Sequence, residues 1–150
     1  MSSTFQGLFD LQSQRDLLKK LRHDYDRVKK SPLDSYATFD FFVTAYHMLD
    51  WLHPGDNAKR KQMESNSALL QVISHLANGS KHFKATHPQH VSVKDTRVNR
   101  GAFDPAFDSN ALDVSELRVE LDGQAAIKFG PSIGVLKLAD MALSFWEGYV

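Results

Sequence analysis

The chain has 150 residues, of which 42% are hydrophobic and 24% are charged, so it holds enough apolar material for one core. Eighteen basic residues balance eighteen acidic ones, so no net charge draws the chain to nucleic acid or to an anionic membrane. Cysteine is absent, which excludes disulfides, thiolate nucleophiles and cysteine-based zinc sites. The sequence shows no signal-peptide pattern and no apolar stretch near the ~20 residues that span a bilayer. We expect one cytoplasmic domain over residues 1–150, without membrane contact.

Apolar residues at helical spacing predict three helices in the first half of the chain. The second of them is apolar on most of its sides, which is typical of a central, buried helix. Ser31-Pro32 and Pro54-Gly55 supply the breaks after the first and second helices. The predicted bounds are about 8–30, Ser35 to about His53, and about Asn57 or Ser65 to Phe83.

The middle of the chain changes to turn-forming and then to alternating residues. Residues 85–110 are rich in Pro, Gly, Asp and Asn and are predicted to be loop, with a short strand at 90–94. Residues 117–129 alternate on both sides of Asp122-Gly123, which predicts a β-hairpin with a three-residue loop. The cross-strand pairs in that register are Leu121 with Ala125, Val119 with Ile127, and Leu117 with Phe129.

A last helix is predicted after Gly130-Pro131-Ser132, because a core stripe follows at helical spacing. That stripe consists of Val135, Leu136, Ala139, Leu143 and Trp146. The expected fold is therefore mainly α, a four-helix bundle with a hairpin insertion at about 88–130 before the last helix.

The end of the third predicted helix carries a polar cluster that helix packing does not require, Ala77-Asn78-Gly79-Ser80-Lys81-His82. Asn78 and His82 are four residues apart and share one helical face, on which His75 also lies. At ~100° per residue this face points away from the core. We expect it to meet solvent, the following loop or a partner subunit.

This cluster, together with the preceding aromatic segment 39–47, resembles the HEPN superfamily of small helical proteins, including small bacterial and prophage proteins of that type. The motif of HEPN ribonucleases is an Arg, a polar residue that is often Asn, three variable residues and a His. Asn78 and His82 match the last two fixed positions, whereas Ala77 occupies the Arg position. Lys81 is cationic but lacks the bidentate fork of Arg and is a poor replacement.

The resemblance covers about residues 35–83 and the last helix, and it implies two candidate functions. The first is a non-catalytic HEPN-like interaction or regulatory module, a homodimer whose polar face at 75–82 binds a protein partner, RNA or a nucleotide. The second is a degenerate, metal-independent endoribonuclease of a toxin or defence system. In it His82 would be the general acid or base, Asn78 would orient the substrate and Lys81 would supply charge. Ala77 favours the first function.

The candidate binding residues are His75, Asn78, Lys81, His82, His47 and Asp50. His47 and Asp50 lie three apart on the second helix, where the carboxylate could orient the imidazole as an accessory to the site. A purely structural role is the alternative. In that role Asn78 ties the helix end to the loop, His82 donates to a backbone carbonyl and His47 is buried and hydrogen-bonded.

Other chemistry is less well supported by the sequence. His82, His87 and His90 are close along the chain, but no carboxylate accompanies them, and phosphate-loop and zincin motifs are absent. We therefore expect no metal and no cofactor. The first helix is basic along its exposed side, but three acidic residues interleave with the basic ones, Asp16, Asp24 and Asp26. We therefore expect this side to be a solvated helix face.

Overall fold

A computed structural model describes residues 4–84, 90–100 and 115–150, with residues 99 and 100 described by their backbone alone. These residues form six helices and a three-stranded antiparallel sheet in the order β1-β2-β3. The elements are α1 (Gln14–Lys30), α2 (Ser35–Leu52), α3 (Asn57–Ser65), α4 (Ala68–His82), β1 (Val93–Arg100), β2 (Ser115–Leu121), α5 (Gly123–Phe129), β3 (Ser132–Gly134) and α6 (Val135–Glu147). The expectation of a mainly α fold is confirmed.

The central position predicted for the second helix is confirmed. α2 packs against α1, α4 and α6, and it buries Phe41, Ala45 and Met48 completely. The predicted stripe of α6 is buried too, except for Leu136, which is partly buried against the core. The sheet covers α6 through Val119 of β2 and the strand β3 that leads directly into the helix.

Two helix bounds differ from the prediction. α1 begins at Gln14 and not near residue 8, because residues 8–11 form a tight turn closed by two backbone hydrogen bonds of 2.9 Å between Leu8 and Leu11. Ser13 then caps the helix by accepting from the amide of Asp16. Of the two predicted starts of the third helix, the one at about Ser65 is close to the start of α4, where Ser67 accepts from the amide of Leu70, whereas the segment from Asn57 to Ser65 is a separate helix, α3.

The predicted hairpin over 117–129 is wrong in its second half. β2 is present, but residues 123–129 form α5, whose first amide donates to Asp122 Oδ1 at 2.9 Å. β2 pairs instead with β1, where Thr96 is opposite Val119, and with β3, where Ile133 is opposite Val119. These partners cover β2 from both edges, so residues 125–129 have no free strand edge to join.

The predicted loop over 85–110 is also corrected in part. β1 occupies 93–100, so the strand begins later and runs further than the predicted 90–94. Residues 85–89 and 101–110 of that prediction lie outside the described residues. None of the described helices is both long enough and apolar enough to cross a membrane.

Candidate binding site at the end of α4

The residues of the HEPN-like motif all lie in α4, but their surroundings differ. Ala77, in the position of the motif's Arg, is only 7% exposed and faces the core. An Arg at this position would bury a guanidinium, which is costly unless an acid accompanies it. Lys81 and His82, one turn further on, are exposed.

The side chain of Asn78 is hydrogen-bonded within its own helix. Its Nδ2 donates to the backbone oxygen of Ser74 at 2.8 Å and approaches Ser74 Oγ at 3.4 Å. This is the i to i−4 back-bond that short polar side chains make within helices. The structural role foreseen for Asn78 is therefore close to what is found, but the bond lies inside α4 and does not reach the following loop.

His75 connects α4 to the sheet. Its Nδ1 accepts the backbone N–H of Val93 at 3.0 Å, and its ring centroid lies 5.2 Å from that of His90. Burial lowers the pKa of His75, and the neighbouring His90 lowers it further. The acceptor nitrogen must be unprotonated, so this contact requires the neutral imidazole. The face predicted to meet solvent, a loop or a partner thus meets the start of β1 at this residue.

The last turn of α4 ends in a strained backbone. Within the described residues, the side chains of Lys81 and His82 have no hydrogen-bond or ion-pair partner. Phe83 follows with φ 63° and ψ −47°, and the amide of Lys84 donates to the carbonyl of His82 at 2.6 Å. This is a classic γ-turn, which is rare for a residue with a side chain. The Phe83 ring is 92% exposed.

His47 and Asp50 do not join this site. Asp50 Oδ1 pairs with Arg60 Nε of α3 at 3.1 Å, and His47 is exposed, contrary to the expected buried histidine. His87 lies outside the described residues. In the part of the chain that the structure describes, no three His, Asp or Glu side chains are grouped closely enough to hold a metal ion.

A groove of about 540 Å³ runs between the ends of α2 and α4 and the strands β1 and β2, and we call it the sheet groove. Apolar side chains from all four elements line it, among them Phe39, Leu76, Phe83, Val98 and Leu117. His75 and Ser80 bring the polar end of α4 to its wall. The charged lining residues are three basic ones, Lys94, Arg97 and Arg118, and one acidic one, Asp95.

Sequence reasoning located one wall of this groove and missed the other. The polar end of α4 stood out in the sequence, but the β1 wall did not, because most of that strand lay in a predicted loop. The alternation of Val93 and Val98 with charged residues was too irregular to mark it, and β1 has a register shift between Val93 and Asp95.

The arrangement is suited to binding more than to bond cleavage. It combines an apolar groove with a mixed-charge rim, while Ala77 is buried, Asn78 is bonded within its own helix and His82 has no partner among the described residues. Comparison of the chain with models of protein families, with curated proteins and with solved structures finds no match.

Proposed function

We propose that the chain is a non-catalytic interaction module, HEPN-like in its helical fold, that forms a homodimer through the sheet groove. The observation that carries this proposal is Phe83, an exposed aromatic residue in a strained conformation on the wall of the groove. The polar end of α4 reaches the same groove through His75 and Ser80. Both features support docking of another protein surface here.

Phe83 is costly to the isolated chain in two ways. A positive φ costs a residue with a Cβ roughly 1–2 kcal/mol, which glycine would avoid. The exposed ring also leaves a large apolar surface in water. A partner that buries the ring would offset both costs. Strained residues of this kind cluster at functional sites, and buried aromatic side chains dominate protein interfaces.

The charges of the groove favour a second copy of the chain as the partner. An interface between two identical copies related by a twofold axis presents the same patch twice, so the patch must complement itself. Lys94 and Asp95 give the rim both signs of charge. The two other basic residues of the rim, Arg97 and Arg118, already pair with Glu120 and Glu116. The chain has no net charge, so two copies do not repel each other. A nucleic acid partner would instead favour a rim of basic residues alone.

RNA cleavage is supported less well by the same contacts. Phosphate stabilisation in the HEPN motif falls to an Arg, and its position here is the buried Ala77. Asn78 would have to leave its bond to Ser74 before it could orient a substrate. A lone His82 beside Lys81 lacks preorganised donors for a developing charge.

The test is sedimentation velocity of the wild type and Phe83→Gly. We expect a wild-type dimer whose dissociation constant rises about 30-fold in the variant, since an aromatic interface anchor contributes about 2 kcal/mol. Circular dichroism should show an unchanged fold. Glycine relieves the strain of the positive φ, and this gain is offset by the larger conformational entropy of the unfolded chain, so the net change in stability is small.

Phe9→Gly is the matched control. Phe9 is also a positive-φ phenylalanine, at φ 52°, and is 89% exposed, but it does not line the sheet groove. We expect this variant to dimerise as the wild type does. A monomeric wild type, or a dimer that Phe83→Gly and Phe9→Gly affect equally, would rule out the sheet groove as the interface.

A further inference from the structure

A second groove lies between α3, α5 and α6 and shares no lining residue with the sheet groove; we call it the α3–α6 groove. Its volume is about 520 Å³, within the range of small-molecule sites. Two lysines and three aromatic residues characterise its lining: Lys59, Lys128, Phe129, Phe145 and Tyr149.

The charge of this groove is one-sided. Lys59 of α3 and Lys128 of α5 line it, and none of its lining residues in the described part of the chain is acidic. Neither lysine forms a salt bridge within 4–84, 90–100 and 115–150. Two ammonium groups without a carboxylate partner make this groove locally positive, which favours an anionic ligand.

The aromatic residues add a preference for a flat ligand. The rings of Phe145 and Tyr149 lie 4.9 Å apart between centroids with their planes 35° apart, and Tyr149 is about half exposed. The Lys128 ammonium lies 5.6 Å from the centroid of the Phe129 ring, so a cation and a ring already share one wall. Phe145 is partly buried, so the exposed part of the Tyr149 ring is the surface on which a planar heterocycle can stack.

From this arrangement we infer that the α3–α6 groove binds a nucleoside monophosphate unit. The base stacks on the Phe145 and Tyr149 wall, and the phosphate lies between the ammonium groups of Lys59 and Lys128. An acidic peptide would use the two lysines but would leave the flat ring faces without a matching partner. The unit can be a free nucleotide or one residue of a single-stranded RNA, and titration distinguishes the two.

Isothermal titration calorimetry with AMP, and with adenosine and inorganic phosphate as its two halves, tests the inference. We expect AMP to bind more tightly than either half, and added salt to weaken AMP but not adenosine. Lys59→Gln should weaken AMP about fivefold and leave adenosine unchanged, as loss of one exposed ion pair predicts. Tyr149→Leu should weaken AMP and adenosine alike, by about tenfold, because it removes the stacking face.

Lys61→Gln is the matched control, since Lys61 is an exposed lysine of the same helix that does not line the groove. It should bind AMP as the wild type does. A single-stranded RNA oligonucleotide that binds more tightly than AMP identifies RNA as the source, and equal affinity identifies the free nucleotide. No AMP binding by the folded wild type, or equal weakening by Lys59→Gln and Lys61→Gln, overturns the inference.

Discussion

His75 is a histidine whose neutral form the fold requires. Its Nδ1 accepts the amide of Val93, so a proton on that nitrogen would set two N–H groups against each other. A charged ring would also lie beside His90, 5.2 Å away between centroids. Burial and His90 both lower the pKa of His75. The junction of α4 with β1, and with it one wall of the sheet groove, therefore depends on pH.

Replacement of His75 by Asn should reduce the loss of stability in weak acid. The ordinary pKa is 6.5 and folding lowers it, so below that value the unfolded chain binds this proton more readily than the folded chain. The stability contributed by neutral His75 is complete above pH 6.5 and is lost as the pH falls toward the lowered pKa. Urea unfolding between about pH 7.5 and about pH 5 measures this slope.

Asn suits the replacement because its side-chain oxygen can accept the Val93 amide and does not titrate. His23→Asn is the control, since His23 is exposed on α1 and has no hydrogen bond within the described residues. It should keep the wild-type slope. A His75→Asn profile as steep as that of the wild type would show that His75 does not govern this pH dependence.

For these single residues, the sequence predicted that the end of α4 is polar but did not predict the contacts that its side chains make. Helical spacing placed His75 and Asn78 outside the main core stripe, and both are partly buried. Their partners could not be predicted. Asn78 donates to Ser74 of its own helix. His75 accepts from Val93 of β1, a strand that residue spacing did not predict at its observed position.

A buried polar network that the sequence did not predict lies between α1 and α2. Asp24, expected on a solvated face, is 2% exposed and accepts from Lys20 Nζ at 2.7 Å and from Thr44 Oγ1 at 2.7 Å. Lys20 also donates to Thr44 at 2.9 Å. The burial of Asp24 could not be predicted from the sequence, because charged residues alternate along α1 and only the packing of α2 distinguishes Asp24 from its exposed neighbours.

Asp24→Ala should destabilise the protein by about 2 kcal/mol. The change removes the buried carboxylate that Lys20 and Thr44 share, so Lys20 keeps only its bond to Thr44 Oγ1, and Thr44 can donate only to the carbonyl of Asp40. The loss stays below that of a fully buried pair because the Lys20 side chain is 40% exposed and can regain water. Urea unfolding measures the difference in the free energy of unfolding.

Asp26→Ala is the comparison, two residues away and exposed on the same helix. Its free energy of unfolding should stay within about 0.5 kcal/mol of the wild-type value. If the two variants lose equal stability, the network does not hold α1 on α2 in the way described.

The hairpin expected over 117–129 is the clearest limit on prediction of elements. Alternation of apolar residues is equally strong on both sides of Asp122-Gly123, yet only β2 is a strand. In α5, Ala125 is buried but Ile127 is 78% exposed, so only some of the apolar residues of this segment pack against the core. The outcome depends on the edges of β2, which are occupied by β1 and β3, two strands that lie outside the 117–129 segment. Local spacing contains no information on that competition.

Over the whole molecule, composition and periodicity predicted a mainly α chain with a central α2, and both are confirmed. The assembly of the site depends on long-range contacts and was less predictable. The sheet groove needs α2, α4, β1 and β2 together, and the sequence identified only α4 as unusual. The proposed homodimer follows from that assembled surface, with Phe83 as its anchor.

The central claim is that the polar end of α4 binds and does not cleave. The most direct test is incubation of a mixed RNA pool with the wild type and His82→Ala, without added metal and with EDTA, while circular dichroism monitors folding. We predict no cleavage by either protein, because Ala77 is buried and Asn78 is held by Ser74. Metal-independent cleavage by the wild type that a folded His82→Ala protein lacks would contradict the claim and identify α4 as a ribonuclease site.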